Sequence, residues 1–130
     1  MTAVSVRFAA LCWRSGLLAV AAVAVWCSVA QAWSGPVTLS TQGAEADVPQ
    51  VGIAADQSAV FAWTRFDGAN FLAESRTRSA AGTLRPFTTL SDQGESALQP
   101  QVAVDGDGDA VVTWTRSDGA NSRIQATAGP

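Results

Sequence analysis

The segment AVVTWTRSDGAN, residues 110–121, repeats the segment AVFAWTRFDGAN, residues 59–70, at a distance of 51 positions. Both segments contain Trp-Thr-Arg and Asp-Gly-Ala-Asn. Self-similarity at a fixed period of about 50 residues is typical of repeat architectures, in which each unit buries its faces against the next. The duplication therefore predicts two similar units, at approximately residues 39–89 and 90–130.

Alternating apolar residues within each unit indicate short strands. Val51 and Ile53 share one face of the first strand, and Pro49 stands at its start, where a missing N–H donor is tolerated. Trp63 and Trp114 lie among the apolar positions of each second strand, which favours core packing over a sugar-stacking platform. The predicted strands are 49–55, 58–65, 71–78 and 84–90 in the first unit, and 100–105, 110–116 and 121–127 in the second.

Each unit also carries an Asp-Gly pair between its second and third strands, Asp67-Gly68 and Asp118-Gly119. These pairs predict hairpins, because a type I′ turn needs positive φ at its central residues. Arg65 and Arg116 precede the two pairs, and we expect each arginine at a solvated strand end or beside the aspartate of its own hairpin.

Three patterns are common to both units: Pro-Gln-Val-x-(Ile/Val), Ala-Val-x-x-Trp-Thr-Arg and Asp-Gly-Ala-Asn. Over residues 33–130 they resemble the repeats of bacterial secreted β-propeller-type proteins, in the broad sense that includes Asp-box, sialidase-like blades. Residues 79–83 and 91–94 echo only parts of the Asp-box pattern Ser-x-Asp-x-Gly-x-Thr-Trp. The resemblance implies an all-β fold of two four-stranded antiparallel meander blades of propeller type, the second incomplete, after a signal-peptide helix.

Two blades are too few to form a closed ring, because a propeller normally closes with about four to eight blades. Three arrangements are open: a fragment or truncated product of a longer array, a homo-oligomer formed through strand exchange, or a self-sufficient two-sheet domain. Residues 33–40 resemble residues 84–91. Val37–Ser40 is therefore a spare strand of the fourth type, available to complete the second blade of its own chain or of a neighbour.

The first 32 residues have the pattern of a secretory signal peptide. Arg7 and Arg14 give a positive start, residues 17–24 form an unbroken apolar run, and Ala30-Gln-Ala32 offers small residues for cleavage. Ser28-Val-Ala30 is a second candidate cleavage site. An uncleaved anchor is the alternative, although the apolar run is shorter than the ~20 residues of a spanning helix. We expect a secreted, extracellular chain that has no membrane partner once residues 1–32 are removed.

Residues 33–130 lack the side chains that several reaction classes need. The chain contains no His, Lys or Tyr, and its two cysteines, Cys12 and Cys27, lie in the predicted signal segment. A Ser-His-Asp triad, a thiol nucleophile and a zinc–thiolate site are thereby excluded. Six arginines against eleven acidic residues leave residues 33–130 with a charge of −5, which disfavours nucleic acid as a partner. Acidic pairs for glycoside hydrolysis remain, but Glu45, Glu74 and Glu95 are expected in loops or on solvent faces.

One acidic loop is a candidate metal site. Asp105, Asp107 and Asp109 alternate with glycines, and alternate carboxylates in such a loop suit a hard cation such as Ca²⁺. The pattern resembles the calcium loops of propeller blades of the integrin kind, but Ala110 stands where Gly follows in them. The alternative, which we favour, is a plain hairpin turn in which Asp and Gly supply local hydrogen bonds and positive φ.

These features predict a secreted, non-enzymatic repeat module that acts as a binding or surface-interaction scaffold. They indicate no catalytic residues, and they do not identify the ligand. Two alternatives stand beside it. One is a remnant of an extracellular glycan-active, sialidase-like enzyme, which the blade resemblance alone suggests. The other is a truncated, non-functional product.

Overall fold

A computed structural model of the protein describes residues 33–130, and Val37–Pro130 form one compact unit. All regular structure in this part of the chain is β-strand, which confirms the predicted all-β class. The predicted signal peptide, residues 1–32, lies outside the described residues. The strands are β1 (Ala46–Ile53), β2 (Ala59–Phe66), β3 (Phe71–Arg78), β4 (Thr88–Thr89), β5 (Ala97–Val104), β6 (Ala110–Ser117) and β7 (Ser122–Gly129).

The strands form two antiparallel meander sheets, one for each sequence repeat. The first sheet has the order β1-β2-β3-β4, and the second has the order β5-β6-β7. The described residues thus give two open sheets and no closed propeller. The fourth strand is shorter than the predicted 84–90, with an isolated bridge between Arg78 and Leu84 before the two residues of β4. Pro86 lies between these two pairings and has no N–H to donate, which interrupts the ladder.

A β-bulge recurs at the same place in both sheets. Asp47 pairs with Thr64 and Gln50 with Ala62, so two residues of β1 lie opposite Trp63 alone. The second sheet repeats the irregularity between Leu98 and Gln101. A bulge of this kind bends its strand and increases the local twist. The proline of each repeat, which the sequence places at a strand start, is instead the second residue of an internal bulge.

The first residue of each bulge has a left-handed backbone, with φ of 53° at both Val48 and Gln99. This conformation costs a non-glycine residue roughly 1–2 kcal/mol, whereas glycine adopts it freely. We therefore expect Gln99→Gly to raise the free energy of unfolding by about 1 kcal/mol, as measured by urea denaturation. Gln101→Gly on the same strand is the matched control and should lower it by about 0.5–1 kcal/mol. Equal losses in both variants would mean that position 99 carries no strain.

The core lies between the two sheets. Its buried members are Ala62 and Ala73 from the first sheet and Ala97, Val112 and Trp114 from the second sheet. Leu90 and Val102 pack against this cluster. Small residues on the first sheet allow close approach, so that a Cβ built on Gly52 would lie 2.5 Å from Val104 Cγ2. The sheets therefore pack face to face, with the tryptophan of the second repeat seated on the alanines of the first.

Both Asp-Gly hairpins form, with a different turn from the predicted one. The loop between β2 and β3 holds four residues, 67–70, and is closed by the N–H of Asp67 donating to the carbonyl of Asn70. Gly68 has a φ of 107°, but Asp67 does not have positive φ, so the predicted type I′ turn is wrong in detail. Asp67 Oδ1 instead accepts hydrogen bonds from the N–H groups of Ala69 and Asn70, both at 2.8 Å.

The segment Val37–Ser40 forms no strand with either sheet of its own chain. It lies along the first sheet, where Arg76 Nη1 donates hydrogen bonds to the carbonyls of Thr38 (3.3 Å) and Leu39 (3.1 Å). Within this chain the segment therefore sits beside the first repeat and leaves the second sheet with three strands.

Candidate functional site

The acidic loop between β5 and β6 is a tight turn organised by one carboxylate. Asp105 Oδ1 accepts hydrogen bonds from the N–H groups of Asp107, Gly108 and Asp109 at 2.9–3.0 Å. The N–H of Asp105 also donates to the carbonyl of Asp109, at 3.0 Å. The first repeat has a related turn, in which Asp56 Oδ1 accepts from the N–H of Ser58. These contacts are those of an Asp-initiated turn, in which the side chain substitutes for a backbone acceptor.

Calcium binding by Asp105, Asp107 and Asp109 stays a prediction. Within residues 33–130, no group of three or more acidic side chains is placed to hold a metal ion. Because Asp105 Oδ1 is directed at backbone donors, we expect calorimetric titration of the exported protein with millimolar Ca²⁺ to give no heat of binding. Saturable heat that is lost in Asp107→Asn would contradict this and establish the site.

The first sheet contains one buried carboxylate among its described residues, that of Glu74. The side chain of Glu74 is 0% exposed, so the expectation that it lies on a solvent face is wrong. Glu74 Oε1 accepts from Arg65 Nε at 2.5 Å and from the Thr89 hydroxyl at 3.4 Å. Its Oε2 accepts from the indole Nε1 of Trp63 at 3.1 Å. All four side chains belong to one network, so Arg65 has a partner other than the predicted Asp67.

The second sheet holds a neutral version of this network. Trp114 Nε1 donates to Gln125 Oε1 at 3.1 Å, and Gln125 is the residue 51 positions after Glu74. Because position 125 has no carboxylate, Arg116 instead forms ion pairs with two acidic residues of the preceding loop, Asp92 (3.6 Å) and Glu95 (3.8 Å). The predicted partner of Arg116, Asp118, is bonded to Arg123. The signal for both networks is the cross-strand register, which places each tryptophan opposite position 74 or 125.

The hairpin aspartates titrate below their usual range. Hydrogen bonds from the N–H groups of Asn70 and Ala69 lower the pKa of Asp67. The pKa of Asp118 is lowered by the N–H groups of Asn121 and Ala120 and by Arg123. Asp56 has a lowered pKa because the hydroxyl and N–H of Ser58 donate to it. In each turn, hydrogen bonding favours the charged form.

These shifts predict a loss of stability in acid. An aspartate titrates near about 3.9 in the unfolded chain, and a lower folded pKa stabilises the fold above that value. The contribution disappears as the pH falls through the folded pKa. We expect the urea midpoint to drop as the pH falls below about 4, and to drop less in Asp67→Asn/Asp118→Asn, where both carboxylates are gone. An identical pH profile in the double variant would show that these turns do not contribute.

The outer faces of the two sheets expose large apolar side chains. Val51 and Ile53 are exposed on the outer face of the first sheet. Leu98, Val111 and Ile124 are exposed on the outer face of the second. Exposed apolar side chains on a sheet face often mark interaction surfaces. Ile124 also lines a depression of about 370 Å³, together with Gln101 and Thr113 and, from the first sheet, Val48.

Comparison with known protein families, with curated proteins and with solved structures gave no significant match. Within residues 33–130, no helix is long and apolar enough to cross a membrane.

Proposed function

We propose that the protein is an exported, non-enzymatic repeat module built from two propeller-type blades, and that it acts as a binding or surface-interaction scaffold. The observation that carries this proposal is the pair of stacked sheets whose two outer faces both expose large apolar side chains. A rigid stack with open faces suits recognition, because interaction surfaces are set by shape and apolar area more than by reactive groups.

The polar groups support the same proposal. The buried charge of the first sheet, Glu74, has all its contacts inside the network with Trp63, Arg65 and Thr89, which is a stabilising arrangement. The chain has no His, Lys or Tyr to act as base or nucleophile. The net charge of −5 for residues 33–130 makes a protein or neutral glycan a better ligand than nucleic acid. Export follows from the pattern of residues 1–32.

A binding screen tests this proposal against its enzymatic alternative. The exported protein is incubated with neutral and acidic polysaccharides, and both bound sugar and newly formed reducing ends are measured. Binding without new reducing ends is the expected result, whereas release of reducing sugar would replace the scaffold by a glycan-active enzyme. Ile124→Asp, which places a charge on the outer face of the second sheet, should abolish binding if that face is used. Ala81→Asp, in an exposed turn, is the control for added charge.

A further inference from the structure

The contact between the two sheets has two different halves. The first sheet contributes a flat inner face of small residues, on which Val60 is 7% and Ala73 0% exposed. The second sheet contributes a ridge formed by Trp114 and Val112, with Leu90 packed against it. The chain therefore already contains one complete interface, made of a flat half and a ridged half.

Each half has an equivalent on an outer face, and both equivalents expose apolar side chains. The positions 51 residues after Val60 and Ala73 are Val111 and Ile124, which are 46% and 73% exposed on the outer face of the second sheet. The three cross-strand rows that pass through Val111, Thr113 and Thr115 contain no charged residue. A solvent-facing sheet of an acidic protein is expected to carry charge, so this face has the composition of a buried one.

The outer face of the first sheet is the equivalent of the ridge; Trp63 is only 4% exposed there, and the exposed apolar side chains of the face are Val51 and Ile53. Trp63 and Leu39 stand where Trp114 and Leu90 stand in the second repeat. Ile53 is the counterpart of Val104 and is 65% exposed, whereas Val104, which lies against Gly52, is half-buried. Within residues 33–130, the two outer faces thus correspond to the two halves of the interface, one exposing Ile53 and the other exposing Val111 and Ile124.

Within the described residues the second sheet has three strands, and the first sheet shows how a fourth strand binds. In the first sheet, Leu90 donates its N–H to the Ala73 carbonyl at 2.8 Å. The N–H of Ala73 donates to Ser91 Oγ at 3.0 Å, and Thr89 pairs with Glu74. Fifty-one positions earlier, the same Thr-Leu-Ser sequence occurs at residues 38–40. Strand β7 presents its free edge at the equivalent place, through Ile124 and Gln125.

We propose that a second copy of this chain covers the outer face of the second sheet, in head-to-tail stacking. The neighbour's Val37–Ser40 segment lies along β7 as the missing strand, with Thr38 opposite Gln125. Its Ile53 face packs on Val111 and Ile124. Continuity with the internal interface points to a second copy, because the neighbour's ridge would meet the second sheet at the positions where the ridge of the second sheet meets the first. The proposed scaffold function uses the same outer faces, so a stacked copy would occupy a surface that a ligand would otherwise use; light scattering without added ligand measures the association alone.

Three contacts have to adjust, because Thr113, Ile124 and Ala103 stand where the internal interface has Ala62, Ala73 and Gly52. Ala103 stands at the place of Gly52, where a methyl group would lie 2.5 Å from the opposing valine. The neighbour's Ile53 must therefore sit farther out than Val104 does. We expect Ala103→Gly to remove this obstacle and tighten association by about tenfold, the effect of a small overpacking strain. Weaker or unchanged association in Ala103→Gly would contradict this register.

The mass in solution tests the stacking. The full chain is expressed with export, and the exported protein is measured by light scattering over a range of concentrations. We expect assemblies of two or more copies for the unaltered protein. Ile53→Asp and Ile124→Asp, each altering one free face, should both be monomeric. Mixed in equal amounts they should form a dimer and nothing larger, because one intact ridge then meets one intact flat face.

Ala81→Asp should assemble like the unaltered protein. Circular dichroism of every variant checks that the sheets are retained, which is expected because both isoleucines are exposed. An unaltered protein that is monomeric at all concentrations would overturn the proposal and would mean that a different partner binds these faces. So would a mixture that stays monomeric.

A disulfide tests the register directly. Residues 33–130 contain no cysteine, so Thr38→Cys with Gln125→Cys introduces two thiols into a region that has no other thiol. Paired antiparallel residues have Cα atoms about 4.5–5.5 Å apart, within the range of a disulfide. We expect covalent dimers and larger ladders on non-reducing gels after oxidation. Thr38→Cys with Ala81→Cys is the control and should give monomer; equal cross-linking in both variants would refute the predicted pairing.

Discussion

Replacing Glu74 with alanine should lower the free energy of unfolding by about 3–5 kcal/mol, the usual effect of removing one partner from a buried charge pair. The Arg65 guanidinium, only 20% exposed, would lose its carboxylate and keep most of its desolvation. The Trp63 indole N–H would lose its acceptor in the same step. Denaturation in urea, followed by circular dichroism, measures the change.

Gln125→Ala is the matched control, because Gln125 holds the same place opposite Trp114. That substitution removes one neutral hydrogen bond and should cost about 0.5–1.5 kcal/mol. Glu74→Gln separates charge from shape, since it keeps an acceptor for Trp63 but leaves Arg65 without an anion. Similar small losses at positions 74 and 125 would show that the charge is not important for the fold.

The repeat and the strand alternation were sufficient to predict most of the fold. Val51 and Ile53, the Asp-Gly pairs and the tryptophans each indicated strands, hairpins or core, because these signals depend on neighbouring residues in the chain. The tryptophans are indeed buried, and each repeat is indeed a meander sheet. The bulge that contains each proline was not predicted, since it depends on which residue of β2 or β6 lies opposite the proline.

The networks around Trp63 and Trp114 were harder to predict for the same reason. Glu74 looks like an ordinary polar residue of an outer strand, and only the pairing of β2 with β3 brings it beside Trp63 and Arg65. Local patterns cannot tell a buried carboxylate from an exposed one when the burial comes from a neighbouring strand. The exchange of Glu74 for Gln125 between the repeats then explains why Arg65 and Arg116, which both follow Trp-Thr, pair with different acidic residues.

Trp114→Ala should lower the free energy of unfolding about as much as Glu74→Ala does, for a different reason. Trp114 lies between the sheets against Ala62 and Ala73, and its removal leaves a large hole lined by residues too small to fill it. Truncation of a buried tryptophan costs about 3–5 kcal/mol, a large share of the 5–15 kcal/mol that holds a domain together. We expect the urea midpoint to fall sharply, with the fluorescence of Trp63 reporting the same transition as circular dichroism.

Coincident transitions are expected because neither sheet is a stable unit on its own; three or four strands with one uncovered face bury too little apolar area. Trp33→Ala is the control for the type of substitution, since Trp33 is fully exposed, and it should leave the midpoint unchanged. A Trp114→Ala variant that keeps its midpoint would mean that the sheets are held together elsewhere. An early loss of circular dichroism with Trp63 fluorescence unchanged would instead show that the first sheet folds alone, and that stacking adds stability only to the second.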